Sequence, residues 1–363
     1  MRRFGLFLVL TGLLFGPAPT ASAVTSAMTT SMTTTMTMAS ASASVRVAVV
    51  PRRVVADPGF RRTTSGDVLR PARFTSVVTL DVPAATTSRG SVVLATQLRV
   101  EVPIRIALSV RAWCAAPSAV GTAPGRRALP DVLVIGQNPV PGNGSTQVAS
   151  RVLTGRAVVS VTPGRAVRCL LQVSPRTEST SSSWLRITSG TLGATAARVV
   201  ARAAQRPAVL VGGPGAPGVP VGQQAAAVAL VAALRPVTTA ARLRLEGEAE
   251  LTTCALGYHL CGRGGAATSV VEVALVAQDI EASGRVCATW RGSARSVTIT
   301  PAVHHVKVIA PALGLPSRCG AAVRGWLQVR HRGGNAVEVE PVLLPAGQPR
   351  GVQTHTWMQP VAG

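Results

Sequence analysis

The sequence predicts an all-β protein, built as two antiparallel β-sandwich domains. Three observations predict it. Apolar residues recur at every second position along many short segments, the period of a half-buried strand. Gly, Pro and Asn punctuate the intervals between those segments. Hydrophobic residues make up 47% of the chain but aromatics only 3%, so the core must come from Val, Leu, Ile and Ala. β-Branched residues fit a pleated, half-buried surface.

The segments follow in order. Val45, Val47 and Val49 alternate up to Val50-Pro51. Val78, Leu80 and Val82 alternate before a turn-like stretch from Pro83 to Gly90. The clearest signal is Val100, Val102, Ile104, Ile106, Leu108, Val110, Ala112 and Cys114. One strand of that length would span about 50 Å, so a break is expected, at Pro103. Ala157, Val159 and Val161 follow, then Cys169, Leu171 and Val173, then Leu185 and Ile187. The loop Gln137 to Gly144 is rich in turn formers.

Gly212 to Pro220 can hold neither a helix nor a central strand, and residues 212–222 read as a linker. It separates a first sandwich at 45–211 from a second at 223–363. Gln223 to Leu234 is Ala-rich and open to either helix or strand. Beyond it, Ala241, Leu243, Leu245, Ala249 and Leu251 face one way, and Arg242, Arg244, Glu246, Glu248 and Glu250 the other, wet, way. Later strands fall at 271–276, 297–299, 306–309, 323–329 and 337–339. Short strands with this punctuation suit Ig-like sandwiches.

The halves hint at a degenerate tandem repeat. Each runs a long alternating strand into a cysteine, Cys114 or Cys254. Each has a later cysteine, Cys169 or Cys319, followed by Leu-Gln-Val at 171–173 or 327–329. The repeat predicts Cys114–Cys169, Cys254–Cys319 and an extra Cys261–Cys287. The rival pairing in the second half is Cys254–Cys261 with Cys287–Cys319. Either gives three disulfides and no thiol left over. Loops of this length contribute about 3–4 kcal/mol each in the chain-entropy model.

The N-terminus reads as an export signal. Arg2-Arg3 precedes an apolar run from Phe4 to Phe15, and Ala21-Ser22-Ala23 offers a small-x-small cleavage site. The apolar run is too short to span a membrane, so the expected product, 24–363, is secreted or associated with the cell envelope and has no transmembrane span. Residues 24–44 form a low-complexity Met/Thr/Ser/Ala spacer. An even set of six cysteines in an oxidising compartment favours disulfides over metal or thiol chemistry.

The formal net charge is +23, carried by 36 arginines and one lysine, Lys307. Nucleic acid is not the expected partner. The arginines are scattered, aromatic residues for base stacking are scarce, and the chain is exported. An anionic envelope polymer, or another secreted protein, fits better. No Gly-x-Ser-x-Gly elbow, His-Glu-x-x-His motif or phosphate-binding loop occurs. Glu246, Glu248 and Glu250 share one strand face and read as partners for arginines on a neighbouring strand. His304-His305, His331 and His355 read as surface residues. Cys254-Ala255-Leu256-Gly257-Tyr258-His259-Leu260-Cys261 lacks the spacing of a zinc site and reads as a stapled loop displaying Tyr258 and His259. Trp113 lies opposite the aliphatic face. It joins Tyr258 and His259 as a surface contact, or else packs beneath a loop or between the domains. No catalytic residue, metal ligand or cofactor is assigned. The expected function is non-enzymatic binding or structure outside the cytoplasm. The alternatives are a secreted hydrolase, indicated by His259, His304 or His305 gathering with carboxylates, and a secreted protease inhibitor.

Overall fold

Alternation becomes strand almost throughout. The computed structural model describes residues 43–57, 74–117 except 105, 132–137, 149–177, 183–212, 223–234, 241–253, 268–300, 303, 305–316, 319, 321–341 and 351–362. Over these the chain forms 22 strands and one turn of helix. The first half supplies β1 (Ser44–Ala48), β2 (Arg52–Ala56), β3 (Thr75–Val82), β4 (Ser91–Val102), β5 (Ile106–Ala115), β6 (Val132–Gln137), β7 (Ala149–Ser160), β8 (Val167–Thr177) and β9 (Ser183–Ala197), with α1 (Ala84–Thr87) between β3 and β4. Then come β10 (Ala201–Ala204), β11 (Val209–Val211), β12 (Ala225–Leu234), β13 (Ala241–Thr252), β14 (Ser269–Ile280), β15 (Val286–Arg291) and β16 (Arg295–Ile299). The last are β17 (His305–Ile309), β18 (Leu313–Leu315), β19 (Ala322–Gly333), β20 (Val337–Val339), β21 (Gly351–Val352) and β22 (His355–Ala362).

Four sheets enclose two cores. The order β1-β9-β4-β7, with β2 also on β9, faces β21-β6-β5-β8-β3. Leu94, Leu98 and Ile187 of the one meet Ile106, Leu108 and Leu171 of the other. A seven-stranded sheet, β10-β22-β13-β20-β11 with β17 and β18 on β13, faces β12-β19-β14-β15 with β16 on β14. Here Leu243, Leu245 and Met358 meet Val273, Leu275 and Leu327. Each fully buried Val or Leu contributes about 1.5–3 kcal/mol of hydrophobic stabilisation. Among the described residues the strand–strand ladders are antiparallel except the short β21–β6 pair, in which the C-terminal segment extends a sheet of the first half; isolated parallel bridges join Asp57 to Arg176 and Val211 to Gln223. The seven-stranded sheet takes in β10 and β11, so the second core draws on strands upstream of residue 212. Residues Ser42–Gly363 form one compact unit. Among the described residues no helix is long and apolar enough to cross a membrane.

Local chemistry explains where strands break. The alternating run through Pro103 is two strands, β4 ending at Val102 and β5 starting at Ile106, and they belong to facing sheets. Proline cannot donate to a ladder, so the chain turns the corner there. The Ala-rich segment is strand β12, not helix. Its register slips between Val228 and Val231, where Ala229 has φ 51°. The bulge is held from both sides: Ala229 N donates to Gln205 Oε1 at 2.8 Å, and Thr356 Oγ1 donates to Ala229 O. Packing and these bonds outweigh alanine's helix propensity of a few tenths of a kcal/mol per residue. Gly212 has φ 97° and lies against the His331 ring, which a Cβ would meet at 2.2 Å.

Cys114 pairs with Cys169, linking the adjacent strands β5 and β8. Cys287 pairs with Cys319, not with Cys261. The pairing derived from a repeat, Cys254–Cys319, therefore does not form. The reason is register. Val286 of β15 and Ala322 of β19 both lie opposite Ile280 of β14, so Cys287 and Cys319 meet at one end of that strand. Cys254 and Cys261 lie outside the described residues, as do the leader and all of the spacer but its last two residues.

Candidate functional site

Strand β13 sets the geometry of the densest chemistry. Its odd positions, Leu243, Leu245, Ala249 and Leu251, enter the second core. Its even positions, Glu246, Glu248, Glu250 and Thr252, share the other face. Strand register brings partners to that same face. Trp357 and His355 of β22 lie opposite Glu246 and Glu248. Lys307 and His305 of β17 lie opposite Glu250 and Thr252. Glu338 of β20 lies opposite Thr252, and Glu340 N donates to Glu250 O at 2.8 Å. Five of the chain's 14 acidic residues and its one lysine thus converge on one patch of a very basic protein.

The predicted wet face is buried at its three glutamates, while Arg242 and Arg244 stay exposed. Glu248 and Glu250 are 0% exposed and Glu246 2%. The first half helps to cover them through β7. Arg156 Nη1 contacts Glu246 Oε2 at 2.5 Å, and Arg156 N donates to Glu248 Oε2 at 2.9 Å. The Arg156 guanidinium also lies 5.0 Å from the Trp357 ring, on which His355 stacks. Arg244 and Gln359 complete the shell of Glu246. Glu246 pairs with two arginine side chains, Arg156 and Arg244. Glu248 and Glu250 take Lys307, whose Nζ stands 3.1 Å from Glu248 Oε1 and 3.7 Å from Glu250 Oε2 and donates to Gln353 O at 2.6 Å.

Burial governs the titration of this set. It pushes the Glu248 carboxyl up against the pull of Lys307 and Arg156. It pushes Glu338 up to about 7, reinforced by Glu340 and opposed by His305. His355 is held well below its usual value by burial and then by Lys307, Arg156 and Arg202. It is therefore neutral at pH 7. Beside it a small cavity of about 160 Å³ opens between Ala157, Val158, Arg202, Ala203 and the His355 and Trp357 rings.

At the solvent edge, His305 Nδ1 lies 3.3 Å from Glu340 Oε1. His305 Nε2 lies 3.5 Å from Thr252 Oγ1, and Gln353 Nε2 donates to Glu340 Oε2 at 2.7 Å. One ligand atom each from Glu250, His305 and Glu340 fall within 4.8 Å of one another. An imidazole and two carboxylates are a donor set that suits a divalent transition metal. The sequence reading missed this site. Its available signal was the chain's only lysine, two residues beyond His305, together with three alternating glutamates in a basic chain.

A second, opposite kind of surface covers the outer face of the β12-β19-β14-β15 sheet. Trp326 of β19 lies opposite Val276 of β14, which lies opposite Arg291 of β15. Arg324, Gln328, Arg330 and Arg332 continue that face along β19. Arg324 Nε donates to Gln278 Oε1 at 2.7 Å, and Arg291 Nη1 donates to Gln328 Oε1. The carboxylate here, Glu272, meets Arg332 at 2.6 Å. Arg332, with Arg330 and Arg291 beyond it, holds that carboxyl below its usual range. Arg291 and Arg332 are exposed, and Trp326 is half-buried.

Trp113 is not a surface contact. It is 3% exposed, and its Nε1 donates to Gln172 Oε1 at 3.0 Å, which also accepts from Arg111 Nε at 2.7 Å. Arg111 stacks 3.7 Å from the Phe74 ring, and burial lowers its guanidinium to about 10. Neither His331 nor His355 is a surface residue, since they are 7% and 6% exposed. His331 Nε2 lies 2.9 Å from Asn335 O. Both are covered by neighbouring strands that period-two reasoning does not place. His304, Tyr258 and His259 lie outside the described residues.

No family model matches the chain, and no curated protein matches it. Among solved structures, a "putative secreted protein" of Parabacteroides distasonis aligns at 7% identity, over 87% of this chain and 90% of that one, with a TM-score of 0.17. The insecticidal delta-endotoxin Cry8Ea1 of Bacillus thuringiensis aligns at 7% identity, over 85% of this chain and 59% of its own length, also with a TM-score of 0.17. At that TM-score neither bears on fold or function. The class that the structure defines is a nearly all-β, multi-sheet, disulfide-stapled protein. Its disulfides are consistent with export.

Proposed function

We propose that the chain is an exported, non-enzymatic protein of two Ig-like β-sandwich domains that binds an anionic polymer of the cell envelope. The proposed domain division lies at the 212–222 linker, with β10 and β11 reaching across it into the second core. The observation that carries the reading is the outer face on β14, β15 and β19, which Trp326 shares with Arg291, Arg324 and Arg330. Guanidinium forks match carboxylate and phosphate geometry, and a tryptophan ring offers a platform for a sugar face. The net charge of +23 adds long-range attraction to the same class of ligand. The test is binding of the disulfide-intact chain to immobilised polyuronate against a neutral glucan. Binding to polyuronate should be selective, weaken steeply with salt, and fall at least tenfold in an R291A/R330A double variant. Equal binding to the neutral polymer, or an unchanged double variant, would reject the reading.

A secreted hydrolase is the second reading, favoured by one observation: His305 gathers with Glu250 and Glu340. Turnover of an ester or peptide substrate by the purified chain, lost in E340Q, would replace the binding reading.

A further inference from the structure

We propose that Glu250, His305 and Glu340 form a binding site for one divalent transition-metal ion of the zinc or manganese class. The three side chains come from neighbouring strands, β17, β13 and the end of β20, and their ligand atoms fall within 4.8 Å of one another. Ligands about 2.1 Å from a tetrahedral ion stand roughly 3.4 Å apart. The His305 Nδ1 to Glu340 Oε1 distance, 3.3 Å, already has that value. The Glu250 ligand atom lies within 4.8 Å of both.

Charge argues for the ion independently of geometry. Glu248, Glu250, Glu338 and Glu340 put four carboxylates on this part of the face. Lys307 supplies one positive charge between Glu248 and Glu250. Arg156 contacts the far side, at Glu246 and Glu248. A chain with 36 arginines does not lack cations to place here, yet it sets carboxylates beside carboxylates. A dication offsets the carboxylates that stay ionised. Lys307 does not take its place, because the ammonium is held 2.6 Å from Gln353 O and leans towards Glu248 rather than Glu250.

The surroundings suit an ion that exchanges with solvent. Gln353 Nε2 orients Glu340 through its other oxygen, and Thr252 Oγ1 stands at the other nitrogen of His305. Such partners orient ligands and tune affinity. His305 and Glu340 are 15% and 14% exposed while Glu250 is buried, so an ion enters from one side and keeps a position for water. An imidazole ligand disfavours calcium and magnesium, which prefer oxygen alone.

The experiment is calorimetric titration of the chelator-treated, disulfide-intact full chain with zinc, manganese and calcium, each alone. One zinc or manganese ion per chain is expected, bound at least tenfold tighter than calcium. H305Q and E340Q should each weaken it about 100-fold, and Q353M about tenfold. H305Q and E340Q act at the accessible rim, so thermal melts are expected to match the parent, and titration of the unmodified chain decides the matter if they do not. No binding by the unmodified chain overturns the proposal. So does a zinc affinity indifferent to H305Q and E340Q, which would place the ion on other histidines. Polyuronate binding on the opposite face is independent of either result.

Discussion

The two outer faces of the second half obey one rule and meet opposite fates. Along β13 and along β19, odd positions enter the same core and even positions point away from it. The face on β13 is acidic, and the first half covers it. The face on β19 is basic, and its Arg291 and Arg332 stay in water. Alternation therefore identifies the face that leaves the core, but not whether that face meets solvent. On the covered face an ion pair stands in low dielectric, where desolvation and Coulomb attraction are both large. On the open face the same pairing is screened and worth little.

Lys307→Met tests the covered face most severely. It leaves Glu248 and Glu250 buried beside one another without their ammonium, and should lower unfolding stability by about 3–5 kcal/mol in denaturant titration. A loss below about 1 kcal/mol would mean that the face is wet after all, and the contrast would collapse.

Glu338→Gln is the next largest, and its effect is on pH dependence. Glu338 ionises at about 7 in the folded chain and near 4.5 when unfolded. Between these values the folded state holds a proton that the unfolded state has lost. The stability that this carboxyl contributes is thus complete below about 4.5 and is lost as pH rises to about 7. Relative to E338Q, the parent should lose roughly 1–3 kcal/mol across that window and then run parallel. Stability curves of the two proteins that stay parallel from pH 4.5 to 7 would place Glu338 in solvent.

The smallest effect belongs to the open face. Arg332→Ala removes the partner of Glu272 at a solvated site, and chemical denaturation should show no measurable change. Its signature is instead a weaker, less salt-dependent attachment to polyuronate. A clear loss of stability in R332A would show that the basic face is covered too, which would sharpen the comparison against the binding proposal.

Much of the fold was legible because period two is a local property. Every alternating segment from Val45 to Val339 became strand, and the break at Pro103 followed from proline's missing donor. Gln223 to Leu234 was not legible, because Gln205 and Thr356, which fix the bulge at Ala229, arrive from other strands. The candidate metal site was legible only as scattered hints. His305 was recognised as a histidine that would matter if carboxylates gathered round it, but nothing local says that Glu340 follows a strand paired to β13. The face of Trp113 was legible but the choice between a surface contact and packing was not, because Gln172, 59 residues away, meets it there.

The sequence by itself determined an all-β chain, the residues that fill its cores, and an even set of cysteines. Those depend on side-chain size, backbone propensity and parity, which each segment carries within itself. The tertiary structure decided which outer face was covered, that Cys287 would meet Cys319, and that five carboxylates, two histidines and the single lysine would share one patch. Those depend on which strands become neighbours. The contact that closes the acidic face joins Arg156 to Glu248 across 92 residues, and no local pattern encodes it.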